Sequence, residues 1–262
     1  MKIWSSESDW DLVLPPSRPN EYQLDIIRKI VSERKSDDLK VAILGCTPEF
    51  RDLLCELGVE HIYLFDKSVD FYQKMSTYRI FDNAEIFVQG NWLDTLPNFF
   101  RFFDFVLSDL TAGNVDYSNR KKFHELIENV LSPRGVFIDK NLTNEKGLIT
   151  IADIAHKYEQ LPVNLSTVND FSCEAIFCSE LQAELEIIDT TKIYRMLEKA
   201  FVSLPRLLRF VELAHSITPE ECVWYYGKTD VEYIKNLSLK SKHPMLNTVY
   251  HNHAWIFVWE KV

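Results

Sequence analysis

Gly45 and Asp66 are the two residues of this chain whose types and spacing most clearly suggest joint chemistry. Gly45 closes the apolar run Lys40-Val41-Ala42-Ile43-Leu44 and opens the turn Cys46-Thr47-Pro48, beyond which the pattern reads as a helix. Asp66 closes the next apolar run, Ile62-Tyr63-Leu64-Phe65, 21 residues further on. A strand, a tight turn and a helix N-terminus bring backbone close to a ligand, and an acid ending the next strand accepts hydrogen bonds from ribose hydroxyls. The pair points to a nucleotide site without saying which nucleotide. A strand-helix turn that binds nothing is the plainer reading of the same residues.

The neighbours of Gly45 narrow the choice. Thr47 and Glu49 stand where a GxGxxG motif would place further glycines, and the whole chain holds only 7 glycines. A pyrophosphate needs close backbone approach, so this turn disfavours NAD or FAD and favours a ligand without phosphates. S-adenosylmethionine is such a ligand. Further on, Asn91 could accept a hydrogen bond from an adenine amino group, and Trp92 offers a flat apolar face. Trp92 reads equally as a core aromatic beside Pro97-Asn98-Phe99-Phe100. Asp104 begins and Asp109 ends the fourth apolar run. Ligands in open α/β sheets sit beyond the carboxyl ends of the strands, so Asp109 is expected to face the site and Asp104 is not. Asp109 could hold a ligand's cation, help to bind substrate, or cap the turn that follows.

The elements that must position these residues alternate in type. Strands are expected at Lys40–Leu44, His61–Phe65, Glu85–Val88, Phe103–Ser108 and Gly135–Lys140, with helices at Glu49–Leu57, Val69–Ile80 and Ser118–Leu131. That alternation implies right-handed crossovers and a mainly parallel sheet. Before it, Leu14-Pro15-Pro16-Ser17-Arg18-Pro19 is expected to be extended, and Asn20 to cap a helix reaching about Glu33. After Lys140 the alternation is lost. Residues 145–240 read as helical and irregular, with acids at Glu174, Glu180, Glu184, Glu186 and Asp189, a helix start at Thr218-Pro219-Glu220-Glu221, and Pro205 breaking the run Ile193–Val211. Ala254–Lys261 has β character and is expected to rejoin the sheet. Four segments result: a lead-in and helix (1–38), a cofactor-binding core (39–144), a helical region that covers the cofactor or serves a dimer (145–240), and C-terminal strands (241–262).

Charge and composition bound the partners. Lys plus Arg number 29 and Asp plus Glu 39, a net charge of −10, which counts against nucleic acid although Arg195, Lys199, Arg206 and Arg209 could form a local basic patch. No apolar run approaches the ~20 residues of a membrane helix, and the chain opens without a secretory pattern. The 5 cysteines form no CxxC pair, so neither a disulfide framework nor a zinc cluster is expected, and a reducing cytoplasm is the plain location.

Together these residues resemble the class I S-adenosylmethionine-dependent methyltransferases over residues 39–140, with a weaker match at the tail. Leu44-Gly45-Cys46-Thr47-Pro48-Glu49-Phe50-Arg51 and Gly90-Asn91-Trp92 resemble a bacterial subgroup whose first motif reads LGxTPExR. Trp10 and Pro16-Ser17-Arg18-Pro19 match that subgroup's N-terminal W…PxRP segment, and Leu131-Ser132-Pro133-Arg134-Gly135 matches the approach to strand five. The resemblance implies a Rossmann-like fold: a mainly parallel, seven-stranded sheet with an antiparallel last strand, plus a helical insertion. It also implies S-adenosylmethionine held by Gly45, Thr47, Asp66, Lys67, Asn91, Trp92 and Asp109. Two positions depart from the family: Ile43 replaces the acid opening the first motif, and Asn91 replaces the common Asp. Arg18 could meet the cofactor carboxylate instead, or it could be a solvent-exposed arginine in a proline-rich turn.

The function so implied is methyl transfer to a small-molecule acceptor by direct displacement, which mainly needs donor and acceptor aligned. A non-catalytic S-adenosylmethionine-binding scaffold and an NAD(P)-dependent oxidoreductase on a similar sheet are the alternatives. No general base stands out. His124 is expected at the surface, and His215, Tyr225, Tyr226, His251 and His253 fall where a substrate side could be. His251 and His253 would share one face of a strand but lack a third ligand, so no metal site is expected. A homodimer is compatible with the insertion.

Overall fold

The computed structural model describes residues 9–34, 36, 38–143, 148–180, 187–217, 223–225, 230–251 and 253–262. The expected start at Thr218–Glu221, and Glu184, Glu186, Cys222 and Tyr226, lie outside them.

The first half alternates as its hydrophobic pattern requires. Helix α1 (Glu21–Ser32) is capped by Asn20, whose side chain accepts the Gln23 N–H at 3.0 Å. There follow β1 (Lys40–Leu44), α2 (Pro48–Glu56), β2 (His61–Asp66), α3 (Val69–Ser76), β3 (Ile86–Gln89), the single turn α4 (Trp92–Thr95), β4 (Phe103–Asp109), α5 (Tyr117–Val130) and β5 (Leu131–Leu142). Helix α3 stops short of Ile80 because the Ile80 and Phe81 N–H groups turn to the Asp52 carboxylate, at 2.9 and 3.2 Å. After β5 come α6 (Ile151–Gln160), α7 (Leu165–Cys173), a wide helical turn at Glu174–Cys178, β6 (Ile187–Asp189), α8 (Thr190–Leu197), α9 (Leu204–Ile217), β7 (Val223–Tyr225), α10 (Asp230–Tyr233), β8 (Leu237–Pro244) and β9 (Ala254–Lys261). Pro205 does not split a helix. It sits in the first turn of α9, where its missing N–H leaves no bond unmade, and the break falls before it.

The strands form a seven-stranded sheet in the order β3-β2-β1-β4-β5-β9-β8. The first five are parallel; β9 runs antiparallel to β5, and β8 antiparallel to β9. β6 and β7 pair separately as an antiparallel ribbon. Because both faces of the parallel strands are covered, their sequences are continuous apolar runs rather than alternating ones. Alternate residues then serve two cores. Val41, Ile43, Phe105, Leu107 and Ile138 pack with α1, α2 and residues of the insertion such as Ile154, Phe171 and Phe210. Ala42, Leu44, Val106 and Phe137 pack with Phe123, Ile127 and Val130 of α5.

The joint between α5 and β5 shows why a glycine is needed there. The strand begins directly after Val130, earlier than Gly135, and its register against β4 shifts between the pairs Phe103↔Leu131 and Phe105↔Val136. The extra residues bulge out through Pro133 and Arg134, the latter at φ 68°. A Cβ on Gly135 would lie 2.9 Å from the carbonyl oxygens of both Phe103 and Ser132. Backbone cannot step aside as a flexible side chain can, so Gly135→Ala is expected to lower stability by roughly 1–3 kcal/mol in urea unfolding. A loss below about 0.5 kcal/mol would show that the bulge relaxes freely.

Candidate functional site

The carboxyl ends of β1, β2 and β4 meet around one narrow cleft of about 90 Å³. At the end of β1, Gly45 takes φ +109°, a conformation side chains avoid, and its N–H donates to the Phe65 carbonyl at 2.9 Å. No atom lies within 4 Å of where a Cβ would stand, so the turn is open on that side. Thr47 precedes α2, with Pro48 as the helix's first residue. Thr111, after β4, donates its hydroxyl to the Leu44 carbonyl at 3.0 Å and ties the two strand ends together.

Both strand-end acids line the cleft. Asp66 accepts the Ser68 N–H at 2.9 Å. Burial holds its carboxyl above the ordinary value of 3.8, against the pull of the Ser68 and Lys67 amides. Burial likewise raises the carboxyl of Asp109, opposed chiefly by Lys140. The Lys140 ammonium, with a side chain 0% exposed, forms an ion pair with Asp109 and also donates to the Pro16 carbonyl at 2.8 Å. Gln23 Nε2 approaches Asp109 at 3.5 Å. Asn114 lines the same cleft, and its Oδ1 is buried with no hydrogen-bond partner among the described residues. No Lys or Arg is among the cleft's described lining residues, which carry two carboxylates. The charge facing the cleft is therefore that of Asp66, since Asp109 is already paired with Lys140.

The N-terminal segment roofs this cleft. Trp10 and Ser17 line it, whereas no described residue from 145–240 does. Trp10 is held from three sides: Nε1 donates to Glu49 at 2.9 Å, its N–H donates to the Tyr78 hydroxyl at 3.2 Å, and its carbonyl accepts Arg18 Nη1 at 3.1 Å. Arg18 Nε completes the ring with Glu49 at 3.3 Å. The tryptophan packs on Val13, Cys46, Phe71 and Met75 as a small separate core. The proline segment bends instead of running extended, since the Ser17 N–H donates to the Leu14 carbonyl at 3.0 Å. Lys140 and Asn169 hold the carbonyls of Pro16 and Pro15 at this bend. Glu49, at the start of α2, thus anchors the segment from Trp10 to Arg18.

Of the residues expected at the site, Gly45, Thr47, Asp66, Trp92 and Asp109 all line the cleft. Trp92 is also partly structural, since its Nε1 donates to the Phe65 carbonyl at 2.7 Å and its ring packs near Phe123. Asn91 is not a lining residue. Its side-chain oxygen accepts the Leu93 N–H at 3.1 Å and caps α4. Lys67 is exposed and contributes its carbonyl to Gln89 at 3.4 Å. Arg18 is engaged by Glu49 and Trp10 and does not line the cleft.

Other expectations change. His124 is buried, packed among Phe123, Phe137 and Tyr233, because its position on α5 faces the sheet. His251 and His253 lie in the turn before β9 rather than on a strand. Glu174 is no surface acid: its carboxylate accepts Lys157 through both oxygens and the Tyr158 hydroxyl. Among the described residues no cluster of three His, Cys, Asp or Glu could hold a metal, and no helix is long and apolar enough to cross a membrane. Ser17 falls within the Pro16–Pro19 segment already singled out, whereas Thr111, Asn114 and Lys140 carry no local motif, and only their position after or near a strand end could have marked them.

These elements define an α/β, Rossmann-like sheet of the class I methyltransferase type, with its cleft at the carboxyl edge. Solved structures share the fold. A Rhodobacter sphaeroides protein provisionally described as a Zn-dependent alcohol dehydrogenase is 15% identical, with a TM-score of 0.59 over 99% of this chain and 100% of its own. An S-adenosylmethionine-dependent methyltransferase from Mesorhizobium loti is 12% identical, with a TM-score of 0.53 over 91% of this chain and 100% of its own. The N-methyltransferase NodS of Bradyrhizobium japonicum, solved with S-adenosyl-L-homocysteine, is 7% identical, with a TM-score of 0.53 over 96% of this chain and 95% of its own. No family model and no curated protein sequence matches the chain.

Proposed function

We propose that the chain binds S-adenosylmethionine in the cleft and transfers its methyl group to a small molecule. The observation that carries this reading is the cleft's lining: Asp66 without a cationic partner, Asp109 paired with Lys140 from behind, no lysine or arginine among the described lining residues, and a single glycine at the turn. Phosphates would be repelled by Asp66 and would find no clamp, whereas a sulfonium and an ammonium are both attracted to its carboxylate. The likeness to solved methyltransferases, NodS among them, agrees with it at the level of the fold.

Asp66 would receive the ribose hydroxyls, and Trp92 and Trp10 offer apolar faces to the base. Asp109 and the unpartnered Oδ1 of Asn114 would receive the ammonium, while the backbone around Gly45 and Thr47 meets the amino-acid end. The cofactor supplies a methyl group already activated on sulfur. What the protein adds is alignment, and the buried Lys140 contributes by fixing both Asp109 and the Pro16 bend.

Calorimetry with S-adenosylmethionine, S-adenosylhomocysteine, NAD and NADP tests the reading. Micromolar binding of the two adenosyl ligands is expected, with at least tenfold weaker binding of the dinucleotides. Binding of NAD or NADP alone would overturn it. Arg18→Ala is expected to weaken S-adenosylhomocysteine only through the loosened Trp10 roof; an equal effect in Trp10→Ala would support that route over a direct carboxylate contact.

A further inference from the structure

Across the Pro15–Arg18 bend from the cleft lies a second, larger depression of about 970 Å³. Pro15 and Asn20 form one side of it, α6, α7 and the wide turn that follows contribute Lys157, Ser166, Asp170 and Glu174, and the turn between β8 and β9 contributes Thr248 and His251. Pro15 faces this groove while Ser17, two residues on, faces the cleft. The two spaces are therefore neighbours across one turn of chain, at the carboxyl edge of the sheet where α/β proteins bind ligands.

The groove's charges do not cancel. The Lys157 ammonium is committed to Glu174, 2.9 Å from each carboxylate oxygen, and the Tyr158 hydroxyl donates to the same group at 2.8 Å. The Asp170 carboxylate has no hydrogen-bond partner among the described residues, although it is half-buried and lines the groove. Burial raises its carboxyl, partly offset by Lys157. His253 is held toward its neutral form by burial and does not balance the charge. A half-buried carboxylate without a protein donor keeps its oxygens free to pair with a cation that enters the groove.

We infer that this groove receives the methyl acceptor and that the acceptor carries a basic amine, whose ammonium pairs with Asp170 while the rest of the molecule reaches past Ser17 toward the cleft. The inference rests on the methyltransferase reading for the word acceptor, but not for the binding of the amine. Anionic acceptors are disfavoured, because the groove's one lysine is already paired. Ser166 and Thr248 leave hydroxyls at the walls, suiting a polar body on the amine.

Calorimetry with ethanolamine, putrescine and benzylamine, each with and without S-adenosylhomocysteine, tests this, with glycolate, succinate and benzoate as matched anions. At least one amine is expected to bind, the anions are not, and Asp170→Asn should weaken the amine at least tenfold while leaving S-adenosylhomocysteine affinity unchanged. Ser166→Arg, at an exposed helix position beside the groove, should abolish amine binding by bulk and like charge without lowering the melting temperature. Amine affinity unchanged in both variants, or no amine binding while S-adenosylhomocysteine binds, would overturn the inference and leave the methyltransferase reading standing. Amine binding that depends on Asp170, in a protein that ignores S-adenosylhomocysteine, would keep the groove as an amine site and remove the methyl donor.

Discussion

Asp66→Asn should bind S-adenosylhomocysteine roughly 10–100-fold more weakly than wild type and yet melt at a higher temperature without ligand. The first effect follows from losing the charged acceptor, since charge-assisted hydrogen bonds to ribose hydroxyls are about twice as strong as neutral ones. Asparagine keeps an oxygen for the Ser68 N–H, so the turn into α3 is retained. The second effect follows from the raised carboxyl of Asp66. A group whose folded pKa lies above its unfolded value of 3.8 gives its full stabilising contribution below 3.8 and loses it as pH rises through the folded value. At pH 7 the wild type has lost that contribution; asparagine has none to lose. The stability gap should close as pH falls below 3.8. Calorimetric titration and melting curves at pH 7 and pH 3.5 read both effects. A variant that binds normally would remove Asp66 from the site, and one that melts lower at pH 7 would show its ionised form to be structurally needed.

The second large effect lies behind the cleft. Arg51, from the first motif, meets Glu85 through two bonds of 3.0 and 2.6 Å, with the side chains 1% and 2% exposed. Arg79 adds a further contact to Glu85 at 3.0 Å, and Ser76 accepts from Arg51 at 2.8 Å. The pair joins α2 to the start of β3 and stiffens the scaffold of the Gly45 turn. Removing one partner of a buried pair leaves an uncompensated charge, so Glu85→Leu should lower stability by roughly 3–5 kcal/mol. In a chain of this size that is a fall in melting temperature of about 6–20 °C. The double variant Arg51→Met/Glu85→Leu should regain most of the loss, because no buried guanidinium at position 51 is then stranded. A single-variant loss under about 1 kcal/mol, read by urea unfolding, would mean that water reaches the pair.

The order of strands and helices in the first half, and the acids at strand ends, could be read directly from the pattern. β1 and β9 fall on their expected residues, β2 and β4 each run one residue further at the end, and β3 is shifted by one residue at both ends. Such runs are legible because parallel strands are buried on both faces and carry no polar alternation. The insertion was read more coarsely. Its helices are held by distant partners such as Glu174 with Lys157, and by packing against the sheet core, neither of which has a local period.

By itself the sequence determined a mainly parallel sheet, a tight turn at Gly45 and two carboxylates, Asp66 and Asp109, each at the end of a strand. Those follow from residue type and spacing alone. Only the tertiary structure decided that Trp10 and Ser17 roof the cleft, that Glu49 engages Arg18, that Lys140 stands behind Asp109, and that Asp170 faces a groove beyond the proline bend. Each of those pairings joins residues far apart in the chain. Which of several competing donors and acceptors meet is set by packing of whole elements, and no local pattern of residues encodes it.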